Sequence, residues 1–371
     1  MSFHSYSIYL ATLLGIFVVA ANTRADGFTA GAGFNSWATD NVYLDGSEEW
    51  DLVLRPSAEL GVDFADIWSL GYSGELNAYT QHGELLSHWH QLYLYVNPAW
   101  GKDAQNEFTI ELSAETLRNQ TQYSGNNLLR PALLAKLAME PIDWFSWSIS
   151  TRVAYEWFYD DLPSNSLDAW GSGEISFTLP SRTTLSPRAA YGFRYYPSQD
   201  LSVTADDRDH QVEIGLHISQ GLWESAGLQA DYAYLFAIGN SGLLLRKLTL
   251  DQFSYLEQGF LYSGNQAMLG FKQIMAESWS WELSARLQEH SFAGWEALDA
   301  SGVLKGENRR DLRLIPGTRL SYLWASRKDG QDAAGVQIGV AVEYSFTRQW
   351  SNSDWYDASA HTVGLNLWGS L

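Results

Sequence analysis

The sequence predicts an all-β fold: a single transmembrane, antiparallel, up-and-down β-barrel of about sixteen strands, with fourteen and eighteen as the neighbouring counts. Three observations predict it. Apolar residues recur at every second position over runs longer than the 5–6 residues usual in soluble sandwiches, and long enough for the roughly 9–11 residues a tilted membrane strand needs. The connections between runs alternate between long and short. Trp and Tyr gather where the runs meet the connections.

The period-two signal is clear in Leu52, Leu54, Pro56, Ala58, Leu60, Val62 and Phe64, with Arg55, Glu59 and Asp63 between them. Alternate side chains of a strand point to opposite faces, so one face is apolar and the other small or charged. The pattern returns in Phe145 to Trp157, Leu185 to Tyr195, Leu312 to Trp324 and Val336 to Phe346. It places strands near 28–36, 50–64, 67–80, 88–100, 105–118, 131–140, 144–158 and 167–180. The second half follows with 183–196, 209–220, 227–238, 264–275, 279–290, 310–325, 334–347 and 358–371.

Connections after odd strands are long and polar, among them 36–49, 197–208 and 291–309. Those after even strands are short, such as ADI, PID, SR and RKDGQD. A membrane barrel has one rim of long loops and one of tight turns, which places both chain ends on the tight-turn side. The segment 239–262 is long and unusually apolar. It is read as a constriction or cap, with Leu243, Leu245, Leu248 and Phe253 as its candidate residues; two further short strands are the other reading.

Composition agrees. The chain holds 17 Trp, 20 Tyr and 31 Gly and is 46% hydrophobic, yet after the N-terminus it has no run of the ~18 apolar residues a membrane helix requires. A net charge of −20 disfavours nucleic acid and anionic lipid surfaces as partners. Absence of Cys excludes disulfides and thiolate sites. Residues 1–25, with the apolar stretch Ile8–Ala21 before Thr23-Arg24-Ala25, are read as a signal peptide, leaving 26–371 as the barrel.

The last segment, HTVGLNLWGSL, sets Val363, Leu365, Leu367, Gly369 and Leu371 on one face. It resembles the terminal strand that Gram-negative outer-membrane proteins present to their insertion machinery, although those proteins usually end in Phe or Trp. The whole of 26–371 resembles the outer-membrane β-barrel class, porin-like or polysaccharide-export-like. That resemblance implies export to the cell outer membrane, contact with its lipids and insertion machinery, a homo-oligomer as a possible state, and no cofactor.

The residues opposite the apolar face are the candidate lumen lining: Arg152, Arg188, Arg194, Arg286, Arg313 and Arg319 with Glu59, Glu75, Glu111, Glu174, Glu213, Glu282 and Glu343. A Lys or Arg facing lipid at mid-membrane costs about 2–4 kcal/mol, so these charges belong inside. There they either select solutes or pair along the wall. Trp50, Trp68, Trp89, Trp100, Trp157, Trp324 and Trp350 are the candidate interface girdle. His88 and His90 sit two apart in the apolar register and read as interface histidines rather than metal ligands. His217 with Ser219 is the weak hydrolase motif. Four functions follow: a pore for small polar solutes, a channel for polysaccharide or other export, a structural or adhesive barrel, and, last, a membrane-embedded hydrolase.

Overall fold

The computed structural model describes residues 27–371 apart from 46–47, 65–66, 102–104, 160–164, 198–207, 239–261, 277, 326–335 and 371. The strand segments run in chain order: β1 (Phe28–Thr39), β2 (Asp51–Phe64), β3 (Trp68–Tyr79), β4 (Ser87–Val96), β5 (Ala99–Trp100) and β6 (Asn106–Asn119). Next come β7 (Leu128–Ile142), β8 (Phe145–Phe158), β9 (Ser166–Leu179), β10 (Thr183–Tyr195), β11 (Arg208–Trp223) and β12 (Ala226–Ile238). The last are β13 (Gly264–Ala276), β14 (Trp279–Leu298), β15 (Leu304–Ala325), β16 (Gln337–Ser351) and β17 (Ala358–Ser370).

The two-residue β5 continues β4. Pro98 has no N–H to give to the ladder, so pairing stops at Val96 and resumes on the same neighbour, β6, at Ala99. The wall therefore counts sixteen strands. Each pairs antiparallel with its sequence neighbour, and β1 pairs with both β2 and β17, from Gly31↔Ser370 to Thr39↔Thr362. That last pairing closes the sheet. A closed sheet satisfies every wall N–H and C=O internally, which hydrocarbon surroundings demand.

Register keeps the two faces apart. Leu283, Thr318 and Tyr344 share one row, while Glu282, Arg319 and Glu343 share the next. The first kind of row is exposed and apolar around the whole wall, for example at Leu92, Ile149, Ile214, Leu269 and Val363. Bulges fall at strand ends, between Gly221 and Trp223 and between Ile274 and Ala276, where an extra residue turns the chain without disturbing the face beyond it.

Several boundaries differ from the sequence reading. Residues 291–309 are a hairpin extending β14 and β15, not a loop. Beyond the apolar belt, alternation is no longer required, so the sequence carries no period-two signal there. Asp299 and Gly302 make the turn, with Gly302 at φ 82°. Arg309 holds the base: it pairs with Asp311 and lies over the rings of Tyr356 (3.3 Å) and Phe292 (5.1 Å). The strand placed at 334 begins at Gln337.

On the charged face, three glycines lie beneath an aromatic ring of the neighbouring strand: Gly71 under Tyr93, Gly192 under Trp170 and Gly339 under Trp368. A Cβ on Gly339 would fall 2.0 Å from the Trp368 ring. Such a cross-strand lid shields a strand position that has no side chain of its own. Gly339→Val is expected to expel the ring and cost about 1–3 kcal/mol, as overpacking does. A urea midpoint within error of the parent in lipid vesicles would refute this packing role.

Candidate functional site

The charged face carries ion pairs between strands rather than isolated charges. Arg130 donates to Glu115 (2.5 Å) and lies 3.6 Å from Glu156. Arg152 donates to the other oxygen of Glu115 (3.2 Å). The Ser166 hydroxyl is within reach of Glu156 (3.4 Å) and Asp168 (3.2 Å), and Arg194 donates twice to Asp168 (2.6 Å each). These side chains form one alternating belt from β6 to β10. It exists because the rows Glu115↔Arg130 and Asp168↔Arg194 place opposite charges directly across the ladder.

A second cluster centres on Arg188, which donates to Glu213 and Asp231 (3.0 Å each). His217 Nδ1 lies 3.0 Å from Asp231. Among the described residues no serine hydroxyl is bonded to His217, so the Ser219 pairing expected for a hydrolase is not formed. Arg55 donates to Glu75 (3.0 Å) and stacks over Trp37 (4.4 Å). Lys272 pairs with Glu282 (2.8 Å). Arg313 donates twice to the buried amide oxygen of Gln349 (2.8 and 2.6 Å).

The other candidates share this face without an ion pair among the described residues. Glu59 stands opposite Gly31 and Ser73, and Glu111 opposite Tyr95 and Leu134. Glu174 faces Arg188 in register, but that guanidinium turns to the acids on its other side. Arg286 stands between Met268 and Ile315. Arg319 has Glu282 and Glu343 as register neighbours and the Trp368 ring at 6.0 Å. Arg130, Asp168 and Lys272 belong to the clusters but were not among the sequence candidates. Arg130 escaped because the strand holding it starts at Leu128, three residues before the expected 131.

Of the girdle candidates, Trp68 and Trp100 end strands on the short-turn side, as does Trp324. Trp157 and Trp350 are exposed at the long-loop end, and Trp50 is exposed just before β2. Trp89 is a correction. His88 and His90 occupy the apolar register, so Trp89 between them falls on the charged face, opposite Glu75 and Leu117. The constriction candidates Leu243, Leu245, Leu248 and Phe253 lie outside the described residues, as does the signal segment 1–25. Among the described residues there is no group of three or more His, Asp or Glu able to hold a metal ion.

The long-loop end holds one further polar centre. Asp51 is fully buried and accepts bonds from the backbone of Leu52, Thr80, Gln81 and His82, from the Thr80 hydroxyl and from the His82 ring. His82 also reaches Glu49 (2.7 Å). Beside it, Val53, Tyr79 and Leu85 form a small core against Trp37, Val42, Tyr43 and Tyr123. The connection after β1 is thereby fastened to the one after β3.

No family model matches the chain, and no curated protein matches it. Solved structures do. One is described as a bacterial polysaccharide outer membrane secretin, 9% identical, with 92% of this chain covering 97% of that one at a TM-score of 0.50. Another is Acinetobacter baumannii OccAB3, 7% identical, with 94% of this chain covering all of that one at a TM-score of 0.52. At such identities the likeness concerns the fold, and the chain has the fold of the bacterial outer-membrane β-barrels.

Proposed function

We propose that the chain sits in a Gram-negative outer membrane and forms a pore for small polar solutes, lined by its charged face. The observation that carries this reading is the division of the wall. Large apolar side chains are exposed on one face, where lipid would cover them, and charged side chains alternate with them on the other. A barrel of about sixteen strands is wide enough for an aqueous lumen. The acids without an ion pair among the described residues, Glu59, Glu111, Glu174 and Glu343, with Arg286, are the groups left to meet solutes; the ion-paired clusters brace the wall.

The purified chain is expected to give stable conductance steps in planar bilayers. Arg286→Glu is expected to shift the reversal potential in a salt gradient toward cations while conductance stays within about twofold, as for a charge that lines a pore. A sealed barrel would end the pore reading, and an unchanged reversal potential would remove Arg286 from the lumen.

A second reading, export of a polysaccharide, is favoured by aromatic rings on the same face: Trp89, Tyr93, Tyr95, Trp170 and Trp368. Flat rings offer stacking surface to sugar rings. Blockade of the conductance by long but not short oligosaccharides is its expected signature.

A further inference from the structure

The apolar face changes character at its long-loop end. Over the whole chain acids outnumber Lys and Arg by 43 to 23, so a rim populated at random would be acidic. In the apolar register that end carries Arg118 (β6), Arg208 (β11), Arg310 (β15) and Arg348 (β16), with Glu289 (β14), Asp357, which pairs with Arg348 (2.6 Å), and Asp40, which accepts from the His361 backbone, as the acids among them. The histidines His88, His90, His210 and His361 share it. The opposite end of the same face is rimmed by uncharged aromatics such as Phe64, Trp68, Trp279 and Trp324.

The histidines are built in. His90 is hydrogen-bonded with the Tyr72 hydroxyl (2.7 Å) and with His88 (3.0 Å). Arg118 stands directly opposite His88, its guanidinium 4.1 Å over the Tyr159 ring. The Tyr–His pair recurs at the same depth in Tyr191–His210 (2.5 Å) and Tyr344–His361 (2.8 Å).

Next to the His88–His90–Arg118 cluster the apolar face carries a shallow, open groove of about 690 Å³ among Leu70, Leu92, Leu112, Leu133 and Val153, with the small Ala114 and Pro131 in its floor. Leu92 is two residues along β4 from His90. At β4 and β6, an arginine with no ion pair among the described residues and an imidazole beside an apolar groove match a molecule with an anionic head and acyl chains. Free phosphate satisfies only the polar part.

We propose that His88, held in place by His90, and Arg118 bind a phosphate group of a glycolipid in the leaflet on the long-loop side, with one of its acyl chains along the groove lined by Leu92 and Leu112. The inference rests on the membrane placement proposed above. Arg meets phosphate through paired N–H donors, and its stem can lie along apolar surface while the head stays at headgroup level. Tyr72 holds His90 through Nδ1, and His90 Nε2 in turn holds His88 through Nδ1, which leaves His88 Nε2 as the ring nitrogen for the headgroup.

Native mass spectrometry of the full chain in detergent, titrated with bisphosphorylated lipid A and with the same lipid stripped of phosphate, tests it. Half-saturation by the bisphosphorylated form is expected at a concentration at least tenfold lower. H88Q/R118Q is expected to erase that preference, and A114F, which fills the groove, to weaken both lipids. Millimolar inorganic phosphate should not displace the lipid. Equal binding of both lipids by the parent, or an unchanged preference in H88Q/R118Q, would overturn the site. Failure of the membrane placement is read separately, as a chain that does not become protease-protected in phosphatidylcholine vesicles.

Discussion

Asp51→Ala is expected to destabilise the folded barrel by about 3–5 kcal/mol, the usual result of removing one side of a buried charged cluster. The carboxylate is fully buried and takes six hydrogen bonds, three of them from the backbone of the connection after β3. Its loss orphans those donors and leaves the His82 ring with Glu49 as its remaining carboxylate partner. Urea unfolding in vesicles, followed by Trp fluorescence, measures the effect; a change under about 1 kcal/mol would show that the cluster fastens nothing.

The same centre gives a pH dependence of defined sign. Burial works against the Asp51 charge, but the hydrogen bonds from His82, Thr80 and Gln81 outweigh it and hold the carboxyl below its ordinary 3.8. Its contribution is therefore present above pH 3.8 and lost as pH falls through the lowered value. Burial likewise opposes the His82 charge, and the bonds to Glu49 and Asp51 raise it above the ordinary 6.5. That contribution is complete below pH 6.5 and lost as pH rises through the raised value. The two loops should thus be held most firmly between those limits. Limited proteolysis across pH is the measurement, and cleavage that is flat from pH 5 to 9 in the parent would contradict it.

Glu115→Ala is expected to cost about 3–5 kcal/mol as well, because it removes the carboxylate that two guanidinium groups, Arg130 and Arg152, now share and leaves the buried Arg130 with the more distant Glu156 (3.6 Å). Arg130 is itself buried, so water cannot replace the lost partner. The informative control is Glu115→Leu with Arg130→Met. Replacing a buried pair by apolar groups of similar size is often neutral, so the double variant should recover most of the loss. If the double variant were as unstable as Glu115→Ala, the belt would be stabilising the wall outright rather than avoiding a stranded charge.

All sixteen strands were legible in the sequence because lipid enforces the pattern: a charge on the wrong face costs several kcal/mol, so alternation runs unbroken from Leu52 to Phe64 or from Ile338 to Phe346. Where lipid ends, so does the signal. The hairpin at 291–309 is held by Arg309, Asp311 and Tyr356, which no period-two pattern reports. Ion pairs were illegible for a different reason. Alternation assigns a residue to a face but says nothing of the stagger between strands. Arg188 has Glu174 beside it in register and yet bonds Glu213 and Asp231, a choice made by geometry across three strands. The Asp51 centre joins residues about thirty positions apart, through loops whose paths a single sequence does not specify.

The joint between β1 and β17 bears on how the wall is made. Every other ladder links strands adjacent in the chain, so it can zip locally as soon as its hairpin exists. The joint must wait for partners separated by nearly the full chain length, and closing so large a loop carries the greatest entropy cost and the slowest step. Until then β1 and β17 are bare edges with unmet N–H and C=O groups, the same groups that would template pairing with another molecule. Assembly therefore has a natural last event and a natural point of failure, both at one place on the circumference, and a kinetic trap in this protein should be a complete sheet that has not yet become a tube.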